Sequence, residues 1–164
     1  MAEREISYCT SPDGTTIAYA YKDAGRAPPV VFATHALIPL ESQGQPATSP
    51  VHISPGRQTL YFDRRGIGYS QRDVSDINES SQIADFTAVI AHVRLAEFDL
   101  VGLGDGCAVA TAYAAMHPQA VRRLALVHPL PLDDKSQGLS NLIRTNWGLG
   151  RRALVDGSLG DHHA

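Results

Sequence analysis

The sequence predicts an α/β layer fold built on a mainly parallel sheet, and three observations carry that prediction. Short strand-like runs alternate with helical patterns along the chain. Val30-Val31-Phe32-Ala33-Thr34, Leu60-Tyr61-Phe62, Leu100-Val101-Gly102 and Leu124-Ala125-Leu126-Val127 are continuously apolar rather than alternating. That is the pattern of strands covered on both faces in a parallel sheet. The composition, 43% hydrophobic and 19% charged over 164 residues, fits one domain. A chain of this size buries roughly 70% of its unfolded surface and needs no disulfide or metal to hold a core.

Taken in order, Ile6 to Thr10 reads as a first strand and Thr15 to Lys22 as its hairpin partner, with Ile17, Tyr19 and Tyr21 alternating against smaller residues. Between them Ser11-Pro12-Asp13-Gly14 is a turn, because proline fixes φ and glycine permits φ > 0. Parallel strands follow near 30–34, 58–63, 98–103 and 121–127. Ile83, Phe86, Ile90 and Val93 recur at helical spacing and predict an amphipathic helix within Glu79 to Ala96. Ala108 to Met116 is alanine-rich, narrow enough to lie close on a sheet, and stops before His117-Pro118. A third helix is expected over Leu139 to Val155. Ala36 to Gly56 carries Pro39, Pro46, Pro50 and Pro55 with Gly44, and reads either as a functional loop or as a degraded helix.

The net charge of −3, a pI near 6.1 and the lack of a long Lys/Arg run argue against nucleic acid or an anionic membrane as the main partner. Cys9 and Cys107 are too few for a disulfide framework and fit a reducing compartment. The charged start Met1-Ala2-Glu3-Arg4-Glu5 shows no signal-peptide pattern, and no apolar stretch reaches the length of a membrane span. A cytoplasmic location is expected, with neither metal nor cofactor.

Several segments, in order, resemble one superfamily, the α/β hydrolases. Asp63-Arg64-Arg65-Gly66-Ile67-Gly68-Tyr69-Ser70 is similar to the D-x-R-G-x-G-x-S turn after their fourth strand. Val30 to Ala36 resembles their third strand ending in His-Gly, with Ala36 where glycine is usual. Leu100-Val101-Gly102-Leu103-Gly104-Asp105-Gly106-Cys107-Ala108-Val109-Ala110 resembles the nucleophile elbow and its following helix. Tyr113 to Leu124 is similar to that helix's end and the sixth strand. The opening Ser11 to Tyr19 also looks like members fused to helix-turn-helix regulators or nucleotide cyclases. The resemblance implies a truncated α/β-hydrolase-type sheet in the order 1-2-4-3-5-6, helices on both faces, and two N-terminal strands forming the antiparallel edge. Residues 1–164 would form a single domain, with 132–164 the start of a lid-like region.

The resemblance also assigns the candidate site. In the pattern G-x-S-x-G the central serine stands on a strained strand-to-helix turn, and the register puts Gly104 in its place. Glycine supplies no nucleophile and avoids about 1–3 kcal/mol of strain at positive φ. Asp105 is the next acid; members that use aspartate as nucleophile place it one residue earlier, and a carboxylate in a first helical turn is explained by the helix dipole and capping. Cys107 lies near the same helix start, where a thiol pKa falls, although a small buried core residue is the plainer reading. Asp133 and Asp134 follow the sixth strand, where some members carry the acid of the triad; a solvated loop is the better reading of them. His35, Ala36 and Leu37, together with the N–H of Asp105, match an oxyanion-type loop. Asp63 and Arg65 are expected to bond within their own turn, His117 to end a helix and His92 to face solvent.

Family members continue past this length through a lid, two further strands and a last helix that bring the triad acid and histidine. Because triad residues act as a unit, loss of the nucleophile alone costs about 10⁶ in rate. The first functional expectation is therefore a non-catalytic module that binds a small apolar ligand or a protein partner. The alternatives are an ester hydrolase using an unusual residue or completed by a second chain, and a truncated gene product. Val121 to Val127 would stand as an apolar edge strand, and an open edge is a template for pairing. A homodimer through that strand is expected, or its cover by the helix at Leu139 to Val155.

Overall fold

The structure, a computed structural model, describes residues 5–22, 28–34, 39–40 and 56–129. Strands β1 (Ile6–Thr10), β2 (Thr16–Lys22), β3 (Val30–Ala33) and β4 (Thr59–Phe62) are followed by helix α1 (Glu79–Val93), β5 (Phe98–Leu103), α2 (Gly106–Met116) and β6 (Val121–Val127). The strands form one sheet in the order β1-β2-β4-β3-β5-β6. β1 and β2 are antiparallel, β2 joins β4 antiparallel, and β4, β3, β5 and β6 run parallel. The sheet order and strand directions are those expected from the sequence.

Local chemistry sets the element boundaries. In the first hairpin the Gly14 N–H donates to the Ser11 carbonyl at 2.9 Å, with Gly14 at φ 88. α1 begins where the Asn78 side chain accepts from the Ser81 N–H at 2.9 Å, the usual satisfaction of an orphan donor in a first turn. It ends at Arg94, which takes the left-handed conformation at φ 59. The helix is therefore shorter than the Glu79 to Ala96 span read from periodicity, because a cap with positive φ stops it before the apolar pattern runs out.

The sheet divides the core in two. On one face Val31, Leu60 and Leu100 pack with Phe86, Val89 and Ile90 of α1 and with Val109, Ala110 and Tyr113 of α2. Phe86 is edge-on to both Phe62 and Tyr113, at 5.6 and 4.7 Å between centroids, favoured geometry for aromatic pairs. On the other face Val30, Phe32, Tyr61 and Val101 pack with Leu40, and Phe32 stacks on Tyr61 at 4.8 Å. Both described helices thus lie on one face. The helix expected over 139–155, and most of the stretch 36–56 read as a functional loop or a degraded helix, lie outside the described residues.

β6 differs from its neighbours. Whereas β3 and β4 are buried throughout, β6 is exposed from Arg122 to Val127, with Leu124, Leu126 and Val127 about 40% accessible. Among the described residues no strand pairs with its outer side. No described helix is long and apolar enough to cross a membrane.

Candidate functional site

The parallel strands carry the candidate site at their C-terminal ends, where β5 turns into α2. Gly104 sits in that turn at φ 57, a left-handed conformation that costs a residue with a Cβ about 1–2 kcal/mol. The turn is tight: the Gly104 N–H donates to the Val127 carbonyl at 2.9 Å, and its own carbonyl accepts from the Cys107 N–H at 3.2 Å. Asp105 follows in helical conformation as the N-cap of α2.

The two flanking glycines are required by space. A Cβ on Gly102 would lie 2.8 Å from the Cys107 Cα and 3.0 Å from the Ala110 Cβ, so its absence lets α2 lie directly on β5. A Cβ on Gly106 would lie 2.2 Å from the Ala33 carbonyl oxygen, so its absence lets the start of α2 abut the end of β3. Gly102-Leu103-Gly104-Asp105-Gly106 is thus a strand-to-helix turn held close against two strands.

The side chains around the turn are tied to one another. The Asp105 carboxylate is ion-paired with Arg64, whose other amino group donates to Gln82 of α1. This corrects the capping explanation: the Asp105 side chain makes no cap hydrogen bond to the helix. Arg64 offers the carboxylate a charged partner, and charge-assisted bonds are stronger than neutral ones. Neither Arg64 nor Gln82 is marked in the sequence, because Arg64 occupies the variable place of its motif and Gln82 lies off the apolar stripe of α1. Ala33, Thr34, Phe62, Arg64, Gln82 and Asp85 line a crevice beside the turn that is too narrow to admit a water molecule.

Cys107 is buried, and its thiol lies 3.6 Å from the Val127 carbonyl. Burial, outweighing that contact, pushes the thiol pKa up, so the lowering expected near a helix start does not prevail. Asp133, Asp134, His35, Ala36 and Leu37 lie outside the described residues. His117 packs on Tyr113 at 4.4 Å between ring centroids, and the exposed His92 lies edge-on to Tyr19 at 5.7 Å.

The turn after β4 frames the site from the other side. The Asp63 carboxylate accepts from the Tyr69 N–H at 2.8 Å and from the Leu40 N–H at 2.7 Å, reaching beyond its own turn. Ser70 accepts from the Ala18 N–H at 2.9 Å and donates to the Asp63 carbonyl at 2.6 Å, fastening the turn to β2. Arg65 departs from expectation. Its guanidinium forms a bidentate pair with Asp85 of α1, both contacts at 2.7 Å, and a second ion pair with Asp13 at 2.8 Å. The Arg65 and Asp85 side chains are 2% and 1% exposed, so the pair is fully internal. The missed signal is Asp85 itself, an acid beside Phe86 and Val89 on the buried face of α1. Among the described residues no cluster of three or more His, Cys, Asp or Glu side chains is arranged to hold a metal.

The family model for the alpha/beta hydrolase fold matches residues 41–149. A non-heme haloperoxidase of Rhodococcus erythropolis is 30% identical over 127 residues, covering 77% of this chain and 45% of that protein. Among solved structures, a hydrolase from Pseudomonas aeruginosa superposes with a TM-score of 0.72 at 20% identity, over 85% of this chain and 51% of the other. The enol-lactonase from Burkholderia xenovorans gives 0.70 at 23% identity, over 93% and 58% respectively. The chain spans less than half the length of the curated relatives it matches. With the sheet order, the glycine-framed turn after β5 and the family match in agreement, the chain belongs to the α/β hydrolase fold family.

Proposed function

We propose that this chain is a non-catalytic member of its family, a module that binds a small apolar ligand or a protein partner rather than turning over an ester. The observation that carries the reading is Gly104. The residue with the backbone of a nucleophile elbow, φ 57 between β5 and α2, has no side chain to attack with. Its neighbours do not replace it. The Asp105 carboxylate is engaged by Arg64, and burial keeps the Cys107 thiol protonated at neutral pH.

The test is labelling and turnover with the full chain. A fluorophosphonate probe is expected to leave the protein unlabelled, and short-chain ester hydrolysis to equal the blank. Gly104→Ser is expected to remain unlabelled, because a serine hydroxyl needs an adjacent base to lose its proton. Labelling of the unaltered chain, or strong rescue by that substitution, would overturn the proposal. His128, exposed at the end of β6 next to the carbonyl that holds Gly104, is then the first imidazole to remove.

A further inference from the structure

Arg64 lines the narrow crevice beside the elbow turn. Resting on the ligand-binding reading above, we infer that its guanidinium is the receptor for a ligand's carboxylate, with Asp105 holding that place from within the chain. The ligand class is a small acid with an apolar body.

Arg64 and Arg65 are neighbours in sequence and are held in different ways. Arg65 meets Asp85 through two contacts of 2.7 Å, with both side chains shut from solvent. A two-pronged internal pair of this kind is fixed. Arg64 instead gives one amino group to a single oxygen of Asp105 and the other to the side-chain oxygen of Gln82. Gln82 is itself anchored, since its amide nitrogen donates to the Ile77 carbonyl at 2.6 Å. A neutral group thus positions the Arg64 guanidinium, and among the described residues Asp105 pairs its charge. The Asp105 side chain is 32% exposed and can turn into water, whereas Arg64, at 13%, stays with the crevice wall.

The crevice suits the rest of such a ligand. Ala33, Phe62 and Val109 supply apolar surface around Arg64 and Gln82. The other charged group on this wall, Asp85, is already neutralised by Arg65. Entry begins when Asp105 lets go, because the crevice admits no water while the pair is closed. Release leaves one unbalanced positive charge beside apolar surface, which is costly until an anion answers it. A neutral ligand leaves that cost standing, while a carboxylate removes it with a charge-assisted bond. Position agrees with charge. Ligands of open α/β sheets collect outside the carboxyl ends of the strands, where the strand order reverses. Ala33 ends β3, Phe62 ends β4, and the chain passes from β4 to β5 on the far side of β3.

NMR titration of the full chain with octanoate and with octanamide, its neutral isostere, tests the receptor. Octanoate is expected to bind about tenfold more tightly, the size of one charge-assisted bond, and to shift the Gln82 side-chain amide. Asp105→Asn frees Arg64 from its internal partner and is expected to tighten octanoate by about tenfold again, with octanamide unchanged. Arg64→Gln is expected to remove the preference between the two probes. Circular dichroism identical to the parent is the check that both variants fold, and the Asp105→Asn comparison decides the matter without the other. Equal affinity of the two probes for the parent, or octanoate bound no more tightly by Asp105→Asn, would overturn Arg64 as receptor and leave the apolar-ligand reading in place. Binding of neither probe to the parent or to Asp105→Asn would overturn both. Fluorophosphonate labelling of the parent would overturn the non-catalytic reading alone, since it does not bear on the preference for octanoate.

Discussion

Removing one carboxylate from α1 changes the balance of the whole region beneath the D-x-R-G turn. Arg65 holds Asp85 through two contacts at 2.7 Å with both side chains shut from solvent. The pairing raises the guanidinium pKa still further, chiefly through its bonds to Asp85. Asp85→Asn leaves the guanidinium internal without its full countercharge, and breaking a buried pair in this way costs about 3–5 kcal/mol. A urea midpoint lowered accordingly is the expected outcome. Replacing both partners together, as in Arg65→Met with Asp85→Leu, is expected to cost less than the single change, because no charge is left stranded. A double substitution as damaging as the single one would mean that the pair positions α1 by geometry that apolar packing cannot supply.

At the level of elements, the same arginine links the β1–β2 turn to α1, and pH probes that link. Hydrogen bonding from Arg65, then from the Thr15 backbone, holds the Asp13 carboxyl at a pKa of about 2, below its ordinary value. A depressed folded-state pKa contributes stability above the unfolded value, and that contribution is lost as pH falls through the folded one. The hairpin's attachment to Arg65 is thus expected to persist at pH 5 and to loosen below about pH 4, toward pH 2. Carboxyl chemical shifts of Asp13 followed by NMR check the window, and Asp13→Asn is expected to abolish it. Half-exposed as Asp13 is, the effect is confined to the turn. Elements of this kind were legible to different depths. The strands were readable because four apolar runs and one Pro-Asp-Gly turn each have a single physical interpretation. The end of α1 was not, because a left-handed Arg94 leaves no mark in an apolar periodicity. Gly104 could be placed from its register, whereas the bonds of Arg64 and Arg65 could not. They depend on which helix packs beneath the turn, and a long cation can reach in several directions.

At the scale of the whole sheet, the side chains grade from a buried centre in β3 to an exposed β6. Among the described residues β3 and β5 have paired neighbours on both sides, while β6 has one. Amide exchange should therefore follow direction as well as position. In a monomer, Ala125 and Val127, whose N–H groups address β5, are expected to exchange slowly, and Leu124 and Leu126 quickly. This alternation depends on the unbroken parallel register between Asp99 and Leu103, which fixes the side each amide faces. NMR-detected exchange makes the comparison within one strand, free of differences in overall stability. Fast exchange at all four residues would show β6 fraying from β5, whereas slow exchange at all four even in dilute solution would show the outer edge already paired within one chain. Either pattern would overturn the expected alternation along the strand.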